Sequence, residues 1–382
     1  MATQAPGRPA PDTRHQFHFL SAKRRGDRTP PVTPGGQVVD LAVFIGRFQP
    51  LHNGHVKVIE KGLETASRVL VLVGSAGAGR RYYDPFSYEE RAHWVEAWAA
   101  GAGHGARVSV QPLHDILGND LAWIAQIQAM IRHAQRETGA QTVGLLGHGK
   151  DGTSYYLRLF PDMAAIEAGG AADAAGRVIS GTGIRERLYA GDIDGSVAAI
   201  VPPCVLDDLR RYAADRSLLG NAFDEAQARW LYRQQWAGAP YEPTFNTCDA
   251  VVVQSGHVLL VVRGRSPGRG LLALPGGYLQ PDESMFVCAI RELREETRID
   301  VPDKHLLDTY KGAEVFDDPR RDPRGRIVTK AHLFRFADMP RLPKVRGADD
   351  AQDARWVHLG DLRESEMFAD HFHIVRKLLG MT

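Results

Sequence analysis

The chain has 382 residues, 43% of them apolar and 24% charged, with 47 basic residues against 46 acidic ones. That composition excludes a disordered or fibrous chain, and the length suits two hydrophobic cores, at roughly 100 to 200 residues each. The near-balance of charge leaves no global field for a polyanion, so no nucleic-acid partner is expected, while small charged ligands stay open.

Residues 1–39 are rich in Pro, Arg, Gly and Thr and bury little surface, so they read as a flexible tail outside the fold. From there to about residue 218, short apolar runs alternate with helix-length segments. Residues 41–45 precede a helix from Gly54, residues 69–73 one from Ser87, residues 108–110 one from Asp120, and residues 143–146 close the series. That alternation predicts right-handed βαβ units and a doubly wound parallel sheet of the Rossmann-like kind, with ligands at the carboxyl ends of the strands. Residues 219–240 read as a connecting helix and linker, with an amphipathic stretch at 224–236 before Ala237-Gly238-Ala239-Pro240. Residues 241–382 predict a second α/β domain with a mixed sheet: a hairpin around Ser255-Gly256, a long helix near Glu283 and strands around residues 327–336.

Cys204, Cys248 and Cys288 stand far apart, without the spacing of a zinc site or a disulfide framework, which fits a cytoplasmic protein. No apolar run approaches the roughly 20 residues that span a bilayer, so no membrane partner is expected. Homo-oligomerisation is left open.

The first chemical constellation follows the first strand: Gly46-Arg47-Phe48-Gln49-Pro50-Leu51-His52-Asn53-Gly54-His55. Glycine lets backbone N–H groups approach an anion, a helix N-terminus favours negative charge, and two histidines three apart can both donate to phosphate oxygens. The stretch resembles the HxGH signature of the nucleotidyltransferase superfamily. Ile179-Ser180-Gly181-Thr182-Gly183-Ile184-Arg185 is similar to that family's second motif, ISxTxxR, with Gly181 where many members have serine. The resemblance implies His52, His55 and Arg185 as catalytic stabilisers of the triphosphate, and Gly46, Arg47, Phe48, Ser180 and Thr182 as nucleotide-binding residues.

Residues 84–91, then Asp115, Asn119 and Trp123, then residues 147–156 are similar to nicotinamide-mononucleotide adenylyltransferases, especially those fused to a Nudix domain. This implies ATP and nicotinamide mononucleotide as substrates and NAD as product. Trp123 would stack on the nicotinamide and Asn119 lie beside its carboxamide. Arg91 is a further candidate for ligand contact. Nicotinate mononucleotide is the alternative acceptor. The nucleophile is an ionised phosphate oxygen, so alignment and charge neutralisation are the chemistry required, with a divalent ion on the triphosphate.

The second constellation places Glu292, Glu295 and Glu296 at i, i+3 and i+4. At about 100° per residue they share one helix face, where unopposed carboxylates repel and a hard cation such as Mg²⁺ or Mn²⁺ is expected. The spacing from Gly277 through Glu283 to Arg291 and Ile299 resembles the Nudix box, GX5EX7REUXEEXGU with U aliphatic. The resemblance implies metal binding and water activation at Glu292, Glu295 and Glu296, and a structural frame from Gly277, Glu283 and Arg291. Arg298 stands at the box glycine; a left-handed non-glycine residue costs on the order of 1 kcal/mol, so a slightly altered helix end with retained chemistry is expected. Residues 316–326 resemble a stretch of Nudix proteins that act on ADP-ribose, in which arginines and a nearby loop hold the diphosphate or terminal ribose. Hydrolysis of ADP-ribose to AMP and ribose 5-phosphate is the implied reaction; the alternatives are another nucleoside diphosphate derivative or a nucleotide-sensing module without turnover.

Overall fold

The computed structural model describes residues 39–116, 119–147, 159–348 and 351–381. The expected tail lies outside the described residues except for Val39, which opens the first strand.

The first unit runs β1 (Val39–Gly46), α1 (Asn53–Thr65), β2 (Ala66–Val73), α2 (Tyr88–Gly101), β3 (Val108–Pro112), α3 (Asp120–Thr138), β4 (Val143–Gly147), β5 (Ala164–Glu167), α4 (Gly181–Ala190), α5 (Gly195–Ala198), α6 (Pro203–Ala214) and α7 (Ala222–Gln235). Its strands are ordered β3-β2-β1-β4-β5 and pair in parallel throughout. β1 is apolar on both faces because both are covered. Ala42 and Phe44 join Ile59 and Leu63 of α1 in one core, while Leu41 and Val43 join Ile127 and Ile131 of α3 in another. The direction of the order reverses at β1, so the loops after β1 and β4 diverge there and leave a crevice at their carboxyl ends. β5 has only four residues, Ala-Ala-Ile-Glu, too short to carry an alternation that sequence could reveal.

The second unit runs β6 (Thr244–Gln254), β7 (His257–Arg263), β8 (Leu272–Ala273), β9 (Gly276–Tyr278), α8 (Met285–Thr297), α9 (Asp303–Thr309), β10 (Tyr310–Phe316), β11 (Arg326–Arg335), β12 (Ala351–His358) and α10 (His371–Leu379). The sheet is mixed: β11 and β6 pair in parallel, and the other pairs are antiparallel. Alternation along β6 sends Ala250 and Val252 to the α8 side with Leu293, and Val251 and Val253 to the α10 side with Ile374 and Val375. Both residues of the predicted hairpin turn, Ser255 and Gly256, have positive φ, 47° and 74°, as a type I′ turn requires.

α7 does more than connect. Leu219, Ala222 and Phe223 are buried in the first unit's core, while Arg229 donates to the carbonyl of Pro323 in the second at 2.9 Å. Glu225 is buried between the units and accepts from the backbone N–H of Tyr82 at 2.7 Å. The loop between β2 and α2 docks on the same side: a Cβ on Gly79 would lie 2.6 Å from the carbonyl oxygen of Ser365.

α8 ends at Arg298, whose φ and ψ of 46° and 34° place it in the left-handed region while its N–H closes onto the carbonyl of Arg294. The helix end is therefore the ordinary left-handed one, with an arginine accepting the strain, and the altered end expected from sequence is corrected. Arg298→Gly should raise thermal stability by roughly 0.5 to 1 kcal/mol, the steric relief being partly offset by the entropy of an added glycine. Paired melting curves will check this; an unchanged or lower Tm contradicts it.

Candidate active sites

The first site is built where β1 feeds α1. His52 is the N-cap: its Nδ1 accepts from the backbone N–H of Gly54 at 3.1 Å. Gly54 must lack a side chain, because a Cβ there would sit 2.9 Å from the His52 ring. The accepted bond leaves Nδ1 without a proton, so the neutral ring carries its hydrogen on Nε2. His55, one turn on, stacks on His52 with ring centroids 3.8 Å apart, and its buried Nδ1 has no partner within the protein.

Burial pushes the pKa of His52 down to about 4, with the Arg185 charge adding to the effect. Burial and then His52 hold His55 well below the usual range. Both rings are thus neutral donors at pH 7. A ¹⁵N NMR titration of the metal-free protein should show the His52 ring as the Nε2–H tautomer down to pH 5; a midpoint near 6.5 contradicts this reading.

The second motif closes against the first. Ser180 caps α4 by accepting from Gly183 N–H at 3.2 Å, and buried Arg185 donates to the carbonyl of Gln49 and to Thr182 Oγ1, the latter at 3.2 Å. A Cβ on Gly181 would lie 2.5 Å from the Gln49 carbonyl oxygen. The glycine that departs from the family motif is therefore the residue that lets α4 approach the β1–α1 loop this closely. A serine there would require the backbone to shift. Gly46 and Arg47 lie at the rim of the loop, with Arg47 exposed and 3.5 Å from Asp84.

Phe48 is 1% exposed: its ring packs on Phe44 and lies 4.7 Å from the His55 ring, forming the floor beneath that side chain, so the backbone is the part of this residue that can meet a nucleotide. Arg91 is equally buried and is spent on backbone carbonyls, donating to Arg47, Gly74, Ser75 and Ser87 at 2.6 to 3.1 Å. It fixes the loops after β1 and β2 relative to each other with four of its five N–H groups, so the ligand contact expected of it is corrected to a structural role. Asn119 caps α3, its Oδ1 accepting from Ala122 N–H at 3.0 Å, and Trp123 is half-buried against the α3-side core. The stretch expected at residues 148–156 lies outside the described residues.

The second site lies between β9 and α8. Arg291 binds Glu283 with two hydrogen bonds, at 3.0 and 2.7 Å, and donates to the carbonyl of Tyr278 at 3.2 Å, tying the strand to the helix. The same guanidinium reaches Glu292 at 2.7 Å and Glu295 at 2.9 Å. Glu296 accepts from Gly276 N–H at 3.0 Å. Gly277 is required by space, since a Cβ there would lie 2.3 Å from a Glu292 oxygen.

Burial pushes the Glu296 pKa up to about 8, and repulsion from Glu292 and Asp249 adds to it. Glu292 is also raised, first by burial. Among the described residues no three carboxylate, imidazole or thiol groups already converge as a metal cage. Yet three hard oxygen donors on one face, one of them so starved of positive charge, fit a hard divalent cation that would draw Glu292 and Glu295 off Arg291.

Sequence reasoning missed Asp249, whose buried carboxyl is pushed up to about 6 and accepts from Thr329 Oγ1 at 2.5 Å. A charged residue inside the apolar run of β6 was the available signal. It also missed half-buried Arg263, one of the charges acting on Glu296. The arginines of residues 316–326 are largely paired internally. Arg321 makes two bonds to Asp370 at 3.0 and 2.9 Å, and Arg324 holds Asp322 at 2.9 and 2.7 Å. Arg321, 6% exposed, is thus a structural ion pair where the sequence suggested a diphosphate ligand.

A structure of a bifunctional NMN adenylyltransferase/ADP ribose pyrophosphatase from Francisella tularensis superposes with a TM-score of 0.81 at 32% identity, covering 90% of this chain and 99% of that one. The chain belongs to this bifunctional family. A second structure from the same organism, holding AMP and a manganese ion, gives a TM-score of 0.80 at 30% identity. Family models match each half of the bifunctional pattern separately: a cytidylyltransferase-like domain at residues 43–137 and a NUDIX domain at residues 245–378. The nicotinamide/nicotinic acid mononucleotide adenylyltransferase of Acinetobacter baylyi is 36% identical over 154 residues, 40% of this chain and 78% of that protein. The ADP-ribose pyrophosphatase of Methanocaldococcus jannaschii is 28% identical over 128 residues, 34% of this chain and 69% of that protein.

Proposed function

We propose that this protein transfers AMP from ATP to nicotinamide mononucleotide, giving NAD and pyrophosphate, and hydrolyses ADP-ribose to AMP and ribose 5-phosphate. The observation that carries the proposal is the presence, in one chain similar over almost its full length to a bifunctional enzyme, of two separate phosphate sites with different chemistry. One offers neutral donors and an arginine; the other offers clustered carboxylates.

In the first reaction the ionised phosphate of the mononucleotide attacks the α-phosphorus of ATP, and the bond to pyrophosphate breaks. No strong base is needed. His52 and His55 donate from Nε2–H to phosphate oxygens without the repulsion that two adjacent imidazolium ions would suffer. Arg185, oriented by the Gln49 carbonyl and Thr182, neutralises charge on the departing pyrophosphate. Ser180, Thr182, Gly46 and Arg47 complete the nucleotide-binding surface, and Asn119 and Trp123 receive the nicotinamide.

In the second reaction water attacks a phosphorus of the diphosphate. Glu292, Glu295 and Glu296 would hold a divalent cation, Mg²⁺ with Mn²⁺ as substitute, which supplies charge neutralisation and a more acidic water. Glu296, held at the strand by the Gly276 N–H and on the same helix face as the other two carboxylates, is the carboxyl suited to take the proton from that water. The three cysteines are unpaired thiols and no described helix is long and apolar enough to cross a membrane; we assign the protein to the cytoplasm.

Supplying ATP, Mg²⁺ and equal concentrations of nicotinamide and nicotinate mononucleotide, then separating the dinucleotides, tests the acceptor. NAD should dominate. Formation of the nicotinate dinucleotide alone overturns the nicotinamide assignment, and formation of neither overturns the transferase.

A further inference from the structure

Residues 74–87 join β2 to α2 without forming a helix or strand, a length of irregular chain that a compact domain seldom keeps without a use. Both ends of this loop are tied to the end of β1 and the turn after it. Gly74 N–H donates to the carbonyl of Gly46 at 2.9 Å, and the Gln49 side chain exchanges two hydrogen bonds with the Phe86 backbone, at 2.9 and 3.1 Å. The middle of the loop is held by the other unit. The Arg81 guanidinium reaches the carbonyls of Glu364 and Met367 at 3.5 and 3.4 Å. Two glycines let the loop close on the same turn: a Cβ on Gly77 would lie 2.8 Å from Glu364 Oε2, as one on Gly79 would collide with the Ser365 backbone. That turn is a fixed part of the hydrolase. Glu364 pairs with His373 of α10 at 3.1 Å, Met367 is fully buried, and Phe368 N–H donates to the Leu272 carbonyl at 2.7 Å.

From Arg81 the path to the first site is short. Its N–H donates to the carbonyl of Asp84 at 3.2 Å, and the Asp84 N–H returns to the carbonyl of Arg81 at 3.1 Å. Asp84 Oδ1 lies 3.5 Å from the Arg47 guanidinium, and this buried oxygen makes no hydrogen bond among the described residues, so the loop sets where it stands. We propose that Arg81 is a positioning residue of the transferase whose anchor is the hydrolase unit: clamped on the Glu364–Met367 turn, it fixes Asp84, and through Asp84 the Arg47 side chain that meets the nucleotide. The proposal rests on reading the first site as a nucleotidyltransferase. A loop free at its middle would have to be ordered at each binding event, and docking on the hydrolase removes that cost in advance. An ion pair as exposed as that of Arg47 is weak by itself, so Asp84 orients Arg47 only as well as the loop holds Asp84.

NAD synthesis by the full chain reads this brace. Arg81→Ala should raise KM for ATP about fivefold to tenfold with kcat within about threefold of wild type, and Arg81→Lys, which keeps a donor for the two carbonyls, should recover most of the loss. The Gly79 backbone is not left-handed, so Gly79→Ala tests the close approach to Ser365 alone, and KM should rise in the same direction. Arg47→Ala tests the route: in its background Arg81→Ala should change KM by less than about twofold, because residues that act through one another do not add. ADP-ribose hydrolysis at the wild-type level checks the folding of each variant, and Gly79→Ala keeps the test open if Arg81→Ala folds poorly. Wild-type KM in both single variants, or the full increase repeated in the Arg47→Ala background, overturns the proposal. If the wild-type protein makes no dinucleotide, the transferase reading fails by itself. Hydrogen exchange then decides the brace: faster exchange of residues 77–84 in Arg81→Ala upholds it, and unchanged exchange overturns it.

Discussion

Glu296→Gln should lower ADP-ribose hydrolysis by about three orders of magnitude and leave NAD synthesis untouched. The substitution keeps the volume and an acceptor for the Gly276 N–H, so the loss reports the charge alone. The same change has an opposite effect on stability. Glu296 has a folded-state pKa of about 8, above its ordinary value of 4.5, so the unfolded chain releases this proton first. The stability tied to the protonated form is fully present below about pH 4.5 and is lost as pH rises through 8. For the metal-free protein that loss is on the order of a few kcal/mol.

A bound divalent cation reverses the penalty, because it supplies the charge that the carboxylate lacks. Metal-free Glu296→Gln should therefore melt higher than metal-free wild type at pH 8.5, and should gain less from added Mg²⁺ or Mn²⁺. Scanning calorimetry with and without metal checks both points. Equal metal-induced shifts in the two proteins would remove Glu296 from the cation site.

The second large effect is expected in the other half. His55→Ala should reduce kcat for NAD synthesis by about 10² to 10³, with a smaller change in KM for ATP. Its neutral ring, stacked on His52 and resting on Phe48, is placed to donate to charge that grows on phosphate oxygen during transfer. An alanine leaves both the donor and the support for His52 missing. ADP-ribose hydrolysis by the variant should stay at the wild-type level. A rise in KM with kcat unchanged would recast His55 as a ground-state binding residue.

The sequence made the chemistry legible where a local rule forces the residue. Gly54 could be read because a helix opening under two imidazoles has no room for a Cβ, and Gly277 because the box leaves none beside Glu292. The doubly wound sheet was readable because residues 41–44 of β1 and 69–73 of β2 are buried on both faces and so form unbroken apolar runs. What escaped was whatever depends on contacts across the fold. Arg91 resembles a ligand arginine in sequence, yet four carbonyls, three of them from distant segments, occupy it. Phe48 sits in a ligand motif but serves the histidine above it. Asp249 and Arg263 come to the carboxylate site from β6 and β7, strands that carry no motif. α7 read as a spacer because amphipathicity cannot say that two different units pack on one helix.

The central claim is that one polypeptide makes a dinucleotide at one site and cleaves a nucleoside diphosphate sugar at another. The most direct test gives a single purified preparation ATP, nicotinamide mononucleotide and Mg²⁺, and in a parallel reaction ADP-ribose and Mg²⁺, with nucleotides resolved by chromatography. The expected result is NAD with pyrophosphate in the first, and AMP with ribose 5-phosphate in the second. Absence of NAD, or ADP-ribose recovered intact, would contradict it.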